Sequence, residues 1–145
     1  MEKEEITPSE WQIMEILWSG DTSYTSAEVF LKLQETSSMS QRMVRVLMNR
    51  LHQKGILTYT VDAHDSRVYH YQAAKPKEEC IKEKSKRFIN SYFSGSRTNA
   101  VAALLQNAAL TDRQIHELEA ILEQSKKQNK EQMKEQNKKP SQKER

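Results

Sequence analysis

A mainly α-helical chain interrupted by one small β-hairpin is the fold class this sequence predicts. Three observations lead to it. Only 3 glycines and 3 prolines punctuate 145 residues, which favours helices over many turns. Helix-start signals recur at Thr7, Thr25, Ser40 and Thr111, each followed by apolar residues at helical spacing. One stretch alone, residues 56–72, changes to the two-residue period of strands.

In chain order, Thr7-Pro8-Ser9-Glu10 combines an N-cap, a proline at the first helical position and a glutamate that closes a capping box. The helix it opens runs to about Trp18, with Trp11, Met14, Leu17 and Trp18 on one face, and Ser19-Gly20-Asp21 ends it. The two tryptophans have apolar neighbours at helical spacing and are read as core, not as a ligand pocket. Thr25-Ser26-Ala27-Glu28 is a second box, opening a helix to about Gln34 with Ala27, Phe30, Leu31 and Leu33 inward. After a polar turn, Ser40 caps a third helix that stops at Gly55, a residue suited to a left-handed end.

This third helix is two-faced. Val44, Leu47, Met48 and Leu51 form its buried stripe. Arg42, Arg45, Asn49 and His52 lie opposite, and no acid occurs between Glu35 and Asp62 to neutralise them. Arg can pair with guanine and Asn with adenine through two hydrogen bonds each in a DNA major groove. The alternative is an ordinary solvated basic face.

Ile56–Val61 and Arg67–Gln72 are β-branched or aromatic and flank the turn-rich Asp62-Ala63-His64-Asp65-Ser66, which makes a hairpin. Tyr59, Tyr69 and Tyr71 read as strand-face packing. Three helices and a hairpin form a winged helix-turn-helix, whose third helix enters the major groove while the wing follows the backbone. That order favours DNA over the solvated face.

Pro76 marks a boundary, and no β pattern follows Gln72. The next helix starts at Lys77, has Cys80, Ile81, Phe88, Ile89 and Tyr92 as apolar positions, and breaks at Ser94-Gly95-Ser96. Thr98-Asn99 is read as the cap of a short helix with Val101, Leu104 and Leu105 on its apolar face. Thr111-Asp112-Arg113-Gln114 is another box, opening a helix that carries Ile115, Leu118, Ile121 and Leu122. These stripes make a thin core alone, and pairing with a second copy buries them. From Ser125 apolar residues nearly vanish and Pro140 ends any helix, so a polar basic tail is expected, partly helical as an extension of the last helix or else frayed and disordered. The expected domains are therefore a winged unit at 1–75, a helical dimerisation unit at 76–124 and a polar basic tail at 125–145.

Charge is uneven within the net +3. Residues 1–74 hold 7 Lys/Arg against 10 Asp/Glu, whereas residues 126–145 hold 8 against 3. The winged half is not generally basic, so a local patch at residues 42–54 describes it better than uniform attraction to nucleic acid. Cys80 is the single cysteine, which leaves no intrachain disulfide and no CxxC metal site. The 4 histidines form no HExxH and no pair on one helix face, and Glu78-Glu79 beside Cys80 disfavour a thiolate. No catalytic residue, metal site or cofactor is expected. No apolar run approaches a membrane span, and the acidic start lacks a signal-peptide core, so a cytoplasmic protein without membrane insertion is expected.

Ser9-Glu10-Trp11-x-x-Met14, Ser40-x-x-x-Val44-Arg45-x-Leu47-x-x-Arg50-Leu51-x-x-Lys54-Gly55, Tyr69-x-Tyr71 and the segment KSKRFINSYFSG at 84–95 together resemble the penicillinase repressor family, over about residues 6–124. That family includes methicillin-resistance and copper-operon repressors. The resemblance implies a homodimeric transcriptional repressor on an inverted-repeat operator, with β-lactam resistance genes as targets. A copper- or other stress-responsive member, or a winged module used for protein contacts, are the alternatives. By position it implies that Gln41, Arg42, Met43 and Arg45 read bases, joined by Asn49. Ser40, Arg50, Lys54, His64 and Arg67 would meet phosphates. Ile89, Tyr92, Val101, Leu104, Leu105, Ile115, Leu118, Ile121 and Leu122 would hold the dimer. It also implies a membrane sensor protease pathway for some members and a Cys-x-Cys copper site for others. This chain departs from both: Asn99-Ala100 stands where the proteolytic branch often has Asn-Phe, and the tail has no cysteine. Met43 stands where the family usually has Thr.

Overall fold

The computed structural model describes residues 5–138. Its elements are α1 (Pro8–Ser19), α2 (Ser26–Leu33), α3 (Gln41–Gln53), β1 (Leu57–Val61), β2 (Tyr69–Ala73), α4 (Lys77–Phe93), α5 (Arg97–Gln106) and α6 (Asp112–Lys138). The mainly α class with one hairpin is borne out, and the order of α1 to β2 is that of a winged helix-turn-helix.

The caps explain where the helices begin. The Thr7 hydroxyl accepts from the Glu10 amide at 3.2 Å while the Glu10 carboxylate accepts from the Thr7 amide at 2.8 Å. Thr25 and Glu28 repeat both bonds. Ser40 accepts from the Met43 amide at 3.1 Å. Each satisfies an amide that the helix itself leaves unpaired, at about 1 kcal/mol per cap.

Ile13, Met14 and Leu17 of α1 meet Val29 and Leu33 of α2 and Val44, Leu47, Met48 and Leu51 of α3 in one core. On α2 the expectation needs correction: Ala27 and Leu31 are exposed, and Val29 takes the inward place. Val29 and Leu33, four residues apart, set the axis of a helix of barely two turns, and Leu31 is turned away from both. Trp11 and Trp18 pack at the core's edge, their rings edge to face at 5.1 Å. The Trp18 indole donates to the Lys75 carbonyl at 2.9 Å, pinning the chain where it leaves the hairpin. Gly20 ends α1 with an extended backbone, φ −112°, not a left-handed one. A side chain there would overlap the Tyr24 ring.

Gly55 fulfils its expected role. Its φ is +79°, its amide donates to the His52 carbonyl at 3.0 Å, and the Ile56 amide donates to the Leu51 carbonyl at 2.9 Å. This pair of bonds is the Schellman closure. A Cβ at Gly55 meets nothing within 4 Å, so Gly55→Ala pays only backbone strain. Urea unfolding should show a loss of about 1 kcal/mol; a loss above ~3 kcal/mol would mean that packing, not dihedral angle, fixes this residue.

β1 and β2 pair antiparallel, with Tyr59 opposite Tyr71 and Val61 opposite Tyr69. A third segment joins them: Tyr24, between α1 and α2, exchanges two backbone hydrogen bonds with Tyr71 at 2.9 and 2.8 Å.

α4 starts against this winged unit. Cys80 is buried in the core, Lys84 Nζ donates to the Ile6 carbonyl at 3.1 Å, and Lys77 pairs with Glu15 at 3.0 Å. The first compact unit accordingly ends at Gly95 and the second starts at Ser96, beyond the boundary expected at residue 75. Two left-handed residues, Ser94 (φ 49°) and Gly95 (φ 84°), terminate α4.

In the second unit Ser96, not Thr98, caps α5, accepting from the Asn99 amide at 3.2 Å. Thr111 and Gln114 form the expected box at the start of α6. α6 then runs unbroken to Lys138, so residues 125–138 take the helical of the two forms expected for the tail. Lys, Glu and Gln are strong helix formers, and propagation from a capped start costs little. Pro140 lies outside the described residues. No helix among the described residues is long and apolar enough to cross a membrane.

Candidate nucleic-acid interface

α3 presents the outward face that its spacing demands. Val44, Leu47, Met48 and Leu51 are all buried, which turns Arg42, Arg45 and Asn49 outward, and all three are exposed. Gln41 and Met43 are exposed in the first turn. Neither arginine makes an ion pair among the described residues. The first turn of α3 holds no acid, so the positive end of its macrodipole is not offset from within the helix. An anion placed there meets free amides and no carboxylate. The Ser40 hydroxyl already accepts from Met43 and keeps its proton to donate.

One outward residue was not foreseen. Val46 is 40% exposed, centred between Arg42 and Asn49 on the helix surface. The signal was available, because Val46 falls off the stripe that Val44 and Leu47 define. Val46 and Met43 offer no hydrogen bonds, and their chemistry matches a thymine methyl.

At the far end of α3 two expected phosphate contacts separate. Arg50 is exposed. Lys54 turns inward: its ammonium lies 2.6 Å from Glu10 Oε1 and 2.8 Å from the Glu5 carbonyl, with 10% of its side chain exposed. Glu10 is wholly buried, and its second oxygen, Oε2, has no partner. Lys54 thus neutralises a buried carboxylate and is not directed at solvent. Its place was set by spacing, three residues after Leu51 and seven after Leu47, on the buried stripe itself.

The wing tip is organised by a carboxylate. Asp62 accepts from the amides of His64 (2.9 Å) and Asp65 (3.0 Å) and lies 2.8 Å from His70 Nε2. The His70 hydrogen bond, then the His64 amide, hold its carboxyl below the usual 3.8. A depressed carboxyl stabilises the wing above that value and loses the contribution as pH falls through its own lower value. An NMR titration of Asp62 should therefore have its midpoint below 3.8, with the tip ordered throughout pH 5–8; a midpoint above 3.8 would contradict this geometry. Arg67 forms a forked pair with Asp65 at 3.1 and 3.3 Å while remaining 88% exposed. So exposed a pair is screened by water, and a phosphate can take the guanidinium from it. His64 is exposed.

Between helix and wing runs an aromatic column. The His52 ring lies 4.7 Å from Tyr59, and Tyr59 stacks on Tyr69 at 4.3 Å with their planes 8° apart. It ties the outer face of α3 to the hairpin, so the helix and wing of this unit are presented together. Burial pushes the Cys80 thiol up, aided by Glu83, which disfavours the thiolate.

The expected pairing residues are left largely uncovered by a single chain. On α4, Ile89 is half-buried and Tyr92 is 75% exposed. In the second unit, Val101, Leu104, Leu105, Ile115, Ile121 and Leu122 are exposed, and Leu118 is half-buried. Asn99 and Ala100 sit in the first turns of α5, with Ala100 buried.

Comparison with known proteins is consistent along the chain. A penicillinase repressor of Staphylococcus aureus is 30% identical over 119 residues, 81% of this chain and 90% of that protein. A penicillinase repressor of Bacillus licheniformis is 30% identical over 122 residues, 84% of this chain and 92% of the relative. A methicillin resistance regulatory protein MecI of Staphylococcus aureus is 28% identical over 119 residues, 81% of this chain and 93% of that protein. The family model described as Penicillinase repressor matches residues 6–124. With a family model matching residues 6–124 and a relative 30% identical over 81% of its length, the chain belongs to the penicillinase repressor family.

Proposed function

We propose that this chain is a sequence-specific DNA-binding repressor that acts in the cytoplasm as a homodimer on an inverted-repeat operator and controls a gene of β-lactam resistance. One observation carries the reading: an acid-free outward face on α3, with Arg42, Arg45 and Asn49 exposed around Val46 and free of ion pairs among the described residues. A helix that docked on a protein would not need it. Family membership supplies the second support, because relatives bearing the names penicillinase repressor and MecI match most of the chain.

In this reading Gln41, Arg42, Met43, Arg45, Val46 and Asn49 read bases. Ser40, Arg50, His64 and Arg67 meet phosphates, and Lys54 is withdrawn from that set to hold α3 in place. Uncovered apolar side chains on α4, α5 and α6 pair two copies, each gripping one half-site. Ile121 and Leu122, 60% and 58% exposed, are the most open apolar positions of α6 before its polar extension.

The test is a gel shift on the chain's own promoter at two salt concentrations. Binding should weaken with salt and still prefer one site; equal binding to every duplex at both salts would sink the proposal. Arg45→Ala should then cost about 1–3 kcal/mol and relax the preference at one base pair. Uniform weakening on all sequences would make Arg45 a phosphate contact instead.

A further inference from the structure

The match to the family model ends at residue 124, but α6 continues to Lys138. The extension has a face of its own. Lys126, Lys130 and Lys134 recur every fourth residue, and Lys127 falls within the same arc of about 100°. All four are exposed. Lys126 lies 3.3 Å from Glu123 in an exposed pair of little energy. Lys127, Lys130 and Lys134 make no ion pair among the described residues. Met133 and Glu131 flank the arc on its two sides, and Gln128, Gln132, Glu135 and Gln136 occupy the opposite side. Like charges four residues apart repel along a helix, so this stripe gains most from an anion that spans it. Lys126 and Lys134 are about 12 Å apart along the axis. That length faces about three or four phosphates of one DNA strand.

We propose that this lysine face lies against the sugar-phosphate backbone of duplex DNA and adds affinity without sequence choice. The proposal rests on the reading of the chain as a DNA-binding repressor. Ammonium groups are point charges that grip phosphate but, without a shaped groove contact, choose no base. The face therefore complements α3 by strengthening attachment to any duplex.

The experiment compares the full chain with a variant carrying Lys126→Gln, Lys127→Gln, Lys130→Gln and Lys134→Gln. Glutamine has nearly the helix propensity of lysine, and circular dichroism confirms that the extension stays helical. Kd is measured over a salt series for the promoter duplex and for a scrambled duplex of equal length. The plot of log Kd against log salt should become shallower by at least about 2 for the variant, equally on both duplexes. Arginine at the same four positions should restore the slope. An unchanged slope on both duplexes overturns the proposal, as does a loss confined to the promoter duplex. Binding of the parent but not the variant to phosphatidylserine vesicles, with DNA slopes alike, overturns it in favour of a membrane surface. If the parent prefers neither duplex, the repressor reading fails, and the slopes on the scrambled duplex still decide the lysine face.

Discussion

Glu10→Ala is expected to destabilise the winged unit by about 3–5 kcal/mol, the cost of leaving one partner of a buried ion pair uncompensated. Glu10 is fully buried, Lys54 is 10% exposed, and their charged atoms are 2.6 Å apart. One further loss adds to the broken pair. Glu10 Oε1 also accepts from the Thr7 amide, so that half of the α1 capping box goes with it. The stranded Lys54 ammonium keeps the Glu5 carbonyl at 2.8 Å as an acceptor but loses its countercharge. A small domain has about 5–15 kcal/mol in total, so the variant should be largely unfolded at modest urea. Lys54→Met should also destabilise, by stranding the carboxylate. Glu10→Gln combined with Lys54→Met removes both charges, keeps an acceptor for Thr7, and should recover most of the loss. Urea unfolding of the two singles and the double forms a cycle that isolates the pair. A loss below ~1 kcal/mol for Glu10→Ala would show that water screens the pair and that Lys54 is available to DNA after all.

On the proposed homodimer, Ile121→Glu with Leu122→Glu is expected to give a monomer in sedimentation and to weaken binding to the proposed operator by about 10²–10⁴-fold. The size follows from effective concentration: a tethered second half-site engages without a further bimolecular step, and the advantage vanishes when the tether is cut. Both side chains are more than half exposed in the single chain, so a carboxylate in either place disturbs no intrachain core. The midpoint of the winged unit should accordingly stay within error of the parent. A dimer that survives the double substitution would move the interface elsewhere.

Most of the fold was legible because its signals are local. Capping boxes at Thr7, Thr25 and Thr111 need only a residue and its neighbour three positions on, and all three form. Gly55 was legible for the same reason, since a helix end needs a left-handed residue whatever surrounds it. The inward face of α2 was not, because in eight residues Val29 and Leu31 compete for one side and only the packing of α1 and α3 chooses. The Tyr24 bridge to Tyr71 involves a single residue and has no period to detect. Lys54 is the instructive case among the candidate contacts. Its charge suggested phosphate, while its spacing from Leu47 and Leu51 placed it inward, and the spacing prevails because a buried Glu10 waits there. Nothing short-range could foretell that Glu10 would be buried, since its capping role is normally played at the surface.

The tryptophans have a consequence for how this protein is watched. Both of them, Trp11 and Trp18, lie in α1 at the edge of the winged core. From Ser96 onward the sequence has no Trp, Tyr or Phe at all. Emission from the indoles therefore reports melting of the winged unit and is blind to α5 and α6, whose helices register only in far-ultraviolet circular dichroism. The two signals, recorded in one titration, separate the two halves of the chain without any label: coincident curves mean that they unfold together, and a split means that the long helices come apart on their own.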